Sequence, residues 1–176
     1  MTSLYDTTIP VIINALKTEE MILKQAEEWA KKNNVPISDI VNARLYPDMF
    51  NLSMQVMVTV LYAGKGIKAL TGEDASILKK EVREYSLEES YANITEALEN
   101  LAKVKPESMN GKENEKVEVN VGPKKAVVTA QNYVHNFLLP TIYFHFVTLY
   151  DILRMKGVPV GKKEYLTFFH SDWVFA

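Results

Sequence analysis

Apolar residues recur at three- and four-residue spacing through four long stretches of the chain, and that period predicts helices. In the first stretch Ile9, Ile12, Ile13, Leu16, Leu23, Ala26 and Ala30 form one stripe. Asp6, Thr7 or Thr8 is placed to cap it, Pro10 fits only in a first turn, and Lys31 to Asn34 followed by Pro36 ends it. In the second, Met49, Leu52, Val56, Val60, Ala63, Ile67 and Leu70 share the spacing, and no charge occurs between Asp48 and Lys65. That helix is expected to be buried almost all round, with Pro47 at or near its first position and Thr71-Gly72 as its stop. Gly64 and Gly66 lie inside it, each weakening a helix by about 1 kcal/mol relative to alanine, so close backbone packing is expected there.

The third stretch opens on Ser86-Leu87-Glu88-Glu89, the spacing of a capping box, and carries Leu87, Tyr91, Ile94, Leu98 and Leu101 on one narrow face. Glu88, Glu89, Glu96 and Glu99 make the solvated side. The fourth starts near Ala130, where Thr129 is a candidate cap, and ends at Lys156-Gly157-Val158-Pro159. From Ala126 to Tyr150 it holds no acidic or basic residue, counting His135 and His145 as neutral, and a helix apolar on every side belongs in a core. Pro140 is expected to kink it or divide it in two.

Between these stretches the pattern changes. Val35 to Tyr46 is a connector with room for one helical turn at Ser38-Asp39-Ile40, and Glu73 to Tyr85 is a charged connector or surface turn. From Lys105 to Lys125 lysine and glutamate dominate; Val117, Val119 and Val121 alternate with polar residues before Gly122-Pro123 and Ala126-Val127-Val128. This reads as a small hairpin or extended flap between helices three and four. Lys162 to Leu166 has the makings of one more helical turn, and the aromatic tail, residues 167–176, is expected to pack back on the bundle or onto a second subunit. The prediction is an all-α single domain over residues 1–176.

Composition narrows the function classes. A chain of 176 residues with 47% apolar residues suits one domain with a sizeable core. A net charge of −2 without a basic stripe argues against nucleic acid. The absence of cysteine excludes disulfides, thiolate zinc sites and a cysteine nucleophile. The first six residues lack the pattern of a signal peptide, and the apolar run from Phe137 to Tyr150 is too short to span a bilayer. The expected setting is cytoplasmic and away from membranes.

Two stretches carry a family resemblance: Arg44-Leu45-Tyr46-Pro47-Asp48-Met49-Phe50-Asn51-Leu52-Ser53-Met54-Gln55-Val56, and Tyr143-Phe144-His145 with Tyr150, Leu153-Arg154, Gly157 to Lys162 and Tyr165-Leu166. Together they resemble an uncharacterised-function domain family, found in bacteria and fungi, of the DinB/YfiT-like superfamily. The resemblance implies an up-and-down four-helix bundle, often dimeric, and in many members a metal held by one histidine on helix two and two on the last helix. Carried over here, that pattern falls on His145 and, a turn earlier, on Thr141, while helix two has no histidine. A threonine hydroxyl is a poor substitute ligand, so an intact three-histidine nickel or zinc site is not expected.

What the chain offers instead is a polar line. Asp48, Gln55, Thr59 and Tyr62 share one side of helix two, and Thr141, His145 and Thr148 share one side of helix four. If those sides face each other, His145 meets Gln55 or Asp48. As a catalytic set, His145 would be the general acid or base, Asp48 its orienting group and Gln55 a carbonyl-polarising group, with Thr59, Tyr62, Thr141 and Thr148 lining a ligand pocket. As a structural set, Gln55 and His145 would fix helix register. No phosphate loop or nucleophile elbow is present, and the pairs Glu19-Glu20, Glu27-Glu28 and Glu88-Glu89 are expected on exposed faces. Three readings follow: a homodimer that binds a small apolar ligand or has a structural role, a metal-independent isomerase- or transferase-type enzyme using His145, and a degenerate site in which His145 still holds a divalent transition metal.

Overall fold

The computed structural model describes residues 3–171, 173 and 174. Its long helices are α1 (Ile9–Lys32), α3 (Leu52–Thr71), α4 (Leu87–Ala102) and α6 (Leu139–Met155). The short ones are α2 (Ile37–Val41), α5 (Ala130–Tyr133) and α7 (Lys162–Leu166). Two strands, β1 (Lys116–Val121) and β2 (Lys124–Thr129), form an antiparallel hairpin with Val121 opposite Lys124 and Lys116 opposite Thr129. The fold is therefore mostly helical with one small hairpin, and the flap expected between the third and fourth long helices is that hairpin.

Each helix forms where its ends are satisfied. Ser86 and Glu89 close a reciprocal capping box on α4, and the Thr129 hydroxyl accepts from the Asn132 amide at the start of α5. Gly72 takes a left-handed conformation (φ 81°) past the end of α3, where a side chain would be strained. The expected start of α3 needs correction. Pro47 lies in a turn, closed by the Met49 amide on the Tyr46 carbonyl, and the helix begins after Asn51, whose side chain accepts from the Met54 amide. A side chain that satisfies an orphan donor sets the boundary more firmly than a proline that merely tolerates it.

Helix α3 packs against α4 on one side and α6 on the other, and α1 packs against α6 and α4. The shared core holds Ile12, Leu16, Ile22 and Leu23 of α1, Leu52, Val56 and Val60 of α3, Ile94 and Leu101 of α4, and Ile142, Phe146 and Leu149 of α6. Both α3 glycines sit at close approaches. A β-carbon at Gly64 would overlap Ile77, and one at Gly66 would stand 2.8 Å from Leu138.

The last long helix is not broken at Pro140. Helix α5 runs into a wider π turn, Val134–Leu138, and then into α6, with the Leu139 amide bonded five residues back to the Val134 carbonyl. Proline removes a donor and crowds the preceding turn, and the wider register accommodates both. A second departure from expectation is the outer side of α6, where Pro140, Phe144, Val147 and Met155 face solvent rather than core. The tail packs back as far as Phe169, whose ring lies against Tyr143, Phe146 and Tyr165; Asp172, Phe175 and Ala176 lie outside the described residues. No helix among the described residues is long and apolar enough to cross a membrane.

Candidate functional site

Gln55 occupies the first turn of α3, where the chain has just left the exposed Tyr46–Met49 turn. It is buried, and its amide nitrogen donates to the Phe50 carbonyl at 3.0 Å. That bond fixes which way the amide points, so Gln55 Oε1 is the atom 2.6 Å from His145 Nδ1 on α6. An amide oxygen only accepts, so Nδ1 carries the proton and Nε2 is left with a lone pair. Nε2 has no hydrogen-bond partner among the described residues. Partial burial holds the imidazole below its usual pKa of 6.5 and keeps it neutral near pH 7. The Phe144 ring meets His145 edge-on with centroids 5.2 Å apart. Phe50 and Phe144 are both half exposed or more, at 50% and 59%.

Of the expected polar line, only Gln55 and His145 meet. Asp48 is exposed in the turn before α3, outside the helix, so it cannot share a helical face with Gln55, and among the described residues no hydrogen bond joins it to the imidazole. Thr148 is buried and spends its hydroxyl on the Phe144 carbonyl of its own helix at 2.7 Å. Thr141, half-buried, lies one turn before His145 without a side-chain hydrogen bond among the described residues. Tyr62 lies farther along α3, its ring edge-on to Phe137 at 5.8 Å. Thr59 is fully enclosed and faces α1 rather than an open cleft.

What Thr59 faces was expected on the surface. Glu19 is 0% exposed, its Oε2 2.8 Å from the Thr59 hydroxyl, while Oε1 has no hydrogen-bond partner among the described residues. Burial pushes its carboxyl up to about 8, partly offset by the Thr59 contact. The same hydroxyl lies 2.8 Å from the Val56 carbonyl, and one hydroxyl proton cannot serve two acceptors. A protonated Glu19 resolves the conflict: the acid donates to Thr59, and Thr59 donates to Val56. The signal was in the spacing, because Leu16, Glu19, Leu23 and Ala26 follow the three-four period of the buried stripe. The neighbouring Glu20 does face out, where Lys24 pairs with it.

The residues around His145 do not fit a three-histidine metal centre. Gln55 has both amide atoms committed, Thr141 stands a turn earlier, and no three His, Cys, Asp or Glu side chains come together among the described residues.

A family described as "Domain of unknown function (DUF1993)" matches residues 4–166. Among solved structures, a DinB family member protein from Shewanella denitrificans is similar over 93% of this chain and 91% of that one, with 31% identity and a TM-score of 0.82. Comparison with curated proteins gives no match.

Proposed function

Because the chain belongs to the DUF1993 family and has the fold of a DinB family member, we propose that it acts as a homodimeric binding protein of the up-and-down bundle type, without metal chemistry. The observation that carries this reading is the outer side of α6. Phe144, Val147 and Met155 are 59%, 39% and 52% exposed at helical spacing, with Pro140 a turn earlier and exposed Asp151 and Arg154 the charges beside them. Phe50, also exposed, is joined to His145 through Gln55, whose amide donates to the Phe50 carbonyl. Exposed apolar side chains at this spacing favour burial, and a two-fold pairing of identical faces buries them on both copies at once. A small apolar molecule held against Phe50 and Phe144 would have the His145 Nε2 lone pair as its polar contact. The test is the mass in solution at micromolar concentration. Twice the chain mass for the native protein and one chain mass for Phe144→Glu is the expected result; one chain mass for both overturns the proposal.

One observation favours a second reading, in which His145 is the acid or base of an isomerase- or transferase-type reaction. Gln55 fixes the tautomer so that Nε2 is presented as a neutral base, the state a proton abstraction requires. Loss of turnover in His145→Gln with stability retained would support it; unchanged ligand binding and turnover in that variant would end it.

A further inference from the structure

A cleft at some distance along α3 from His145 has a different chemistry. It is a cavity of about 450 Å³ between α3, β1 and the α5–π segment, a size that suits a small organic ligand. Helix α3 supplies Tyr62, Lys65 and Lys68, three residues apart and therefore on one face. Strand β1 supplies Lys116, and the rod opposite supplies Tyr133 and Phe137, four apart. The hairpin wall is tied down where the Ala130 amide bonds the Glu115 carbonyl and the Gln131 amide bonds the Glu113 carbonyl.

The floor is aromatic. Phe137 lies 5.8 Å from Tyr62 and 6.0 Å from Tyr133, centroid to centroid. Tyr133 is only 2% exposed, and among the described residues neither its hydroxyl nor that of Tyr62 has a hydrogen-bond partner. Burial, with Tyr62 nearby, pushes the Tyr133 phenol upward, so it remains a donor. The rim is cationic. Lys68 is paired with Asp74 at 2.6 Å, and the one carboxylate lining the cleft, Glu118, is paired with Lys125 at 2.8 Å. Lys65 and Lys116 have no carboxylate partner among the described residues; the Lys65 ammonium lies 4.6 Å over the Tyr62 ring. Two cations without a carboxylate partner among the described residues, beside an aromatic floor and in a chain of net charge −2, are not a uniform background of surface charge.

We propose that this cleft binds a planar aromatic anion, with the ring packed against Tyr62 and Phe137, the Tyr133 hydroxyl beneath it, and the anionic group between Lys65 and Lys116. Phenol donors and ammonium groups both favour a carboxylate-type oxygen, and the aromatic faces favour a flat ring over an aliphatic chain. The site is separate from the α6 surface and does not depend on how that surface is covered.

The test is calorimetric titration of the full chain with 2-naphthoate, with naphthalene-2-carboxamide as the uncharged isostere. Naphthoate is expected to bind one site per chain, the carboxamide at least about tenfold more weakly. Lys65→Gln and Lys116→Gln should each weaken naphthoate by about tenfold, the size of one charge-assisted contact. Lys31→Gln, which removes an exposed lysine of α1 outside the cleft, should leave it unchanged. Absence of saturable binding at millimolar naphthoate, equal binding of the carboxamide, or insensitivity to both lysine substitutions overturns the proposal. So does an equal loss of binding in Lys31→Gln, which would make the effect one of net charge rather than of this cleft. Lys65 and Lys116 are both exposed, so neither variant threatens the fold.

Discussion

Glu19 makes the native state prefer low pH. Its carboxyl stays protonated in the folded chain up to about 8, whereas in the unfolded chain it ionises around 4.5. Between those values the folded state holds a proton the unfolded state has lost, so stability falls as pH rises. Replacing the acid by its neutral isostere removes the effect, and Glu19→Gln is expected to be more stable than the native chain by about 3 kcal/mol at pH 7. The two should converge below pH 4.5; urea midpoints across that range measure it, and parallel curves would refute a buried neutral acid. His145 has the opposite sign. A base held below its usual value costs stability as pH falls below 6.5, and its imidazole should titrate under that value by NMR. Gln55→Glu puts an anion against Nδ1–H, so the same titration should move upward. Gln55 and His145 could be paired from spacing alone because both are polar residues in apolar runs. Glu19 escaped because a carboxylate next to a second carboxylate looks like a solvated face, although its period places it inside.

Element boundaries were legible wherever one side chain satisfies a helix end. Ser86, Thr129 and Gly72 all stand where their chemistry predicts. The start of α3 was not, because Pro47 and Asn51 are competing signals and only geometry shows which amides need a partner. The hairpin followed from alternation at Val117, Val119 and Val121. The two glycines of α3 give an element-scale expectation. Alanine normally improves a helix over glycine, yet Gly66→Ala drives a β-carbon into Leu138 and Gly64→Ala into Ile77. Each substitution is expected to lower stability by about 1–3 kcal/mol, the usual cost of overpacking. A thermal midpoint equal to or above the native one would mean that the neighbouring side chains yield freely.

For the whole molecule, the apolar composition of the last helix foretold burial all round, and only its inner side is buried within the chain. The four long helices cover one another's inner sides, and α6 still has Phe144, Val147 and Met155 in contact with water. No single chain's sequence distinguishes burial within the subunit from burial against a copy, since both impose the same apolar residues. In the dimer proposed above, Val147→Glu should shift the mass in solution toward one chain while leaving the helical circular dichroism intact. Elemental analysis of untagged protein is expected to find no stoichiometric nickel or zinc; a stoichiometric metal would overturn that expectation and revive the reading in which His145 holds a divalent ion.

The π turn sets the phase between the two candidate sites. Tyr133 and His145 are twelve positions apart, and in an uninterrupted α-helix they would point about 120° away from each other around the axis. Absorbing one extra residue in Val134–Leu138 reduces that offset to about 20°. Both side chains can then address α3, Tyr133 in the cleft beside Tyr62 and His145 on Gln55. The irregular turn ahead of Pro140 thus acts as an angular adjuster, aiming two chemically distinct ends of one rod at the same partner helix.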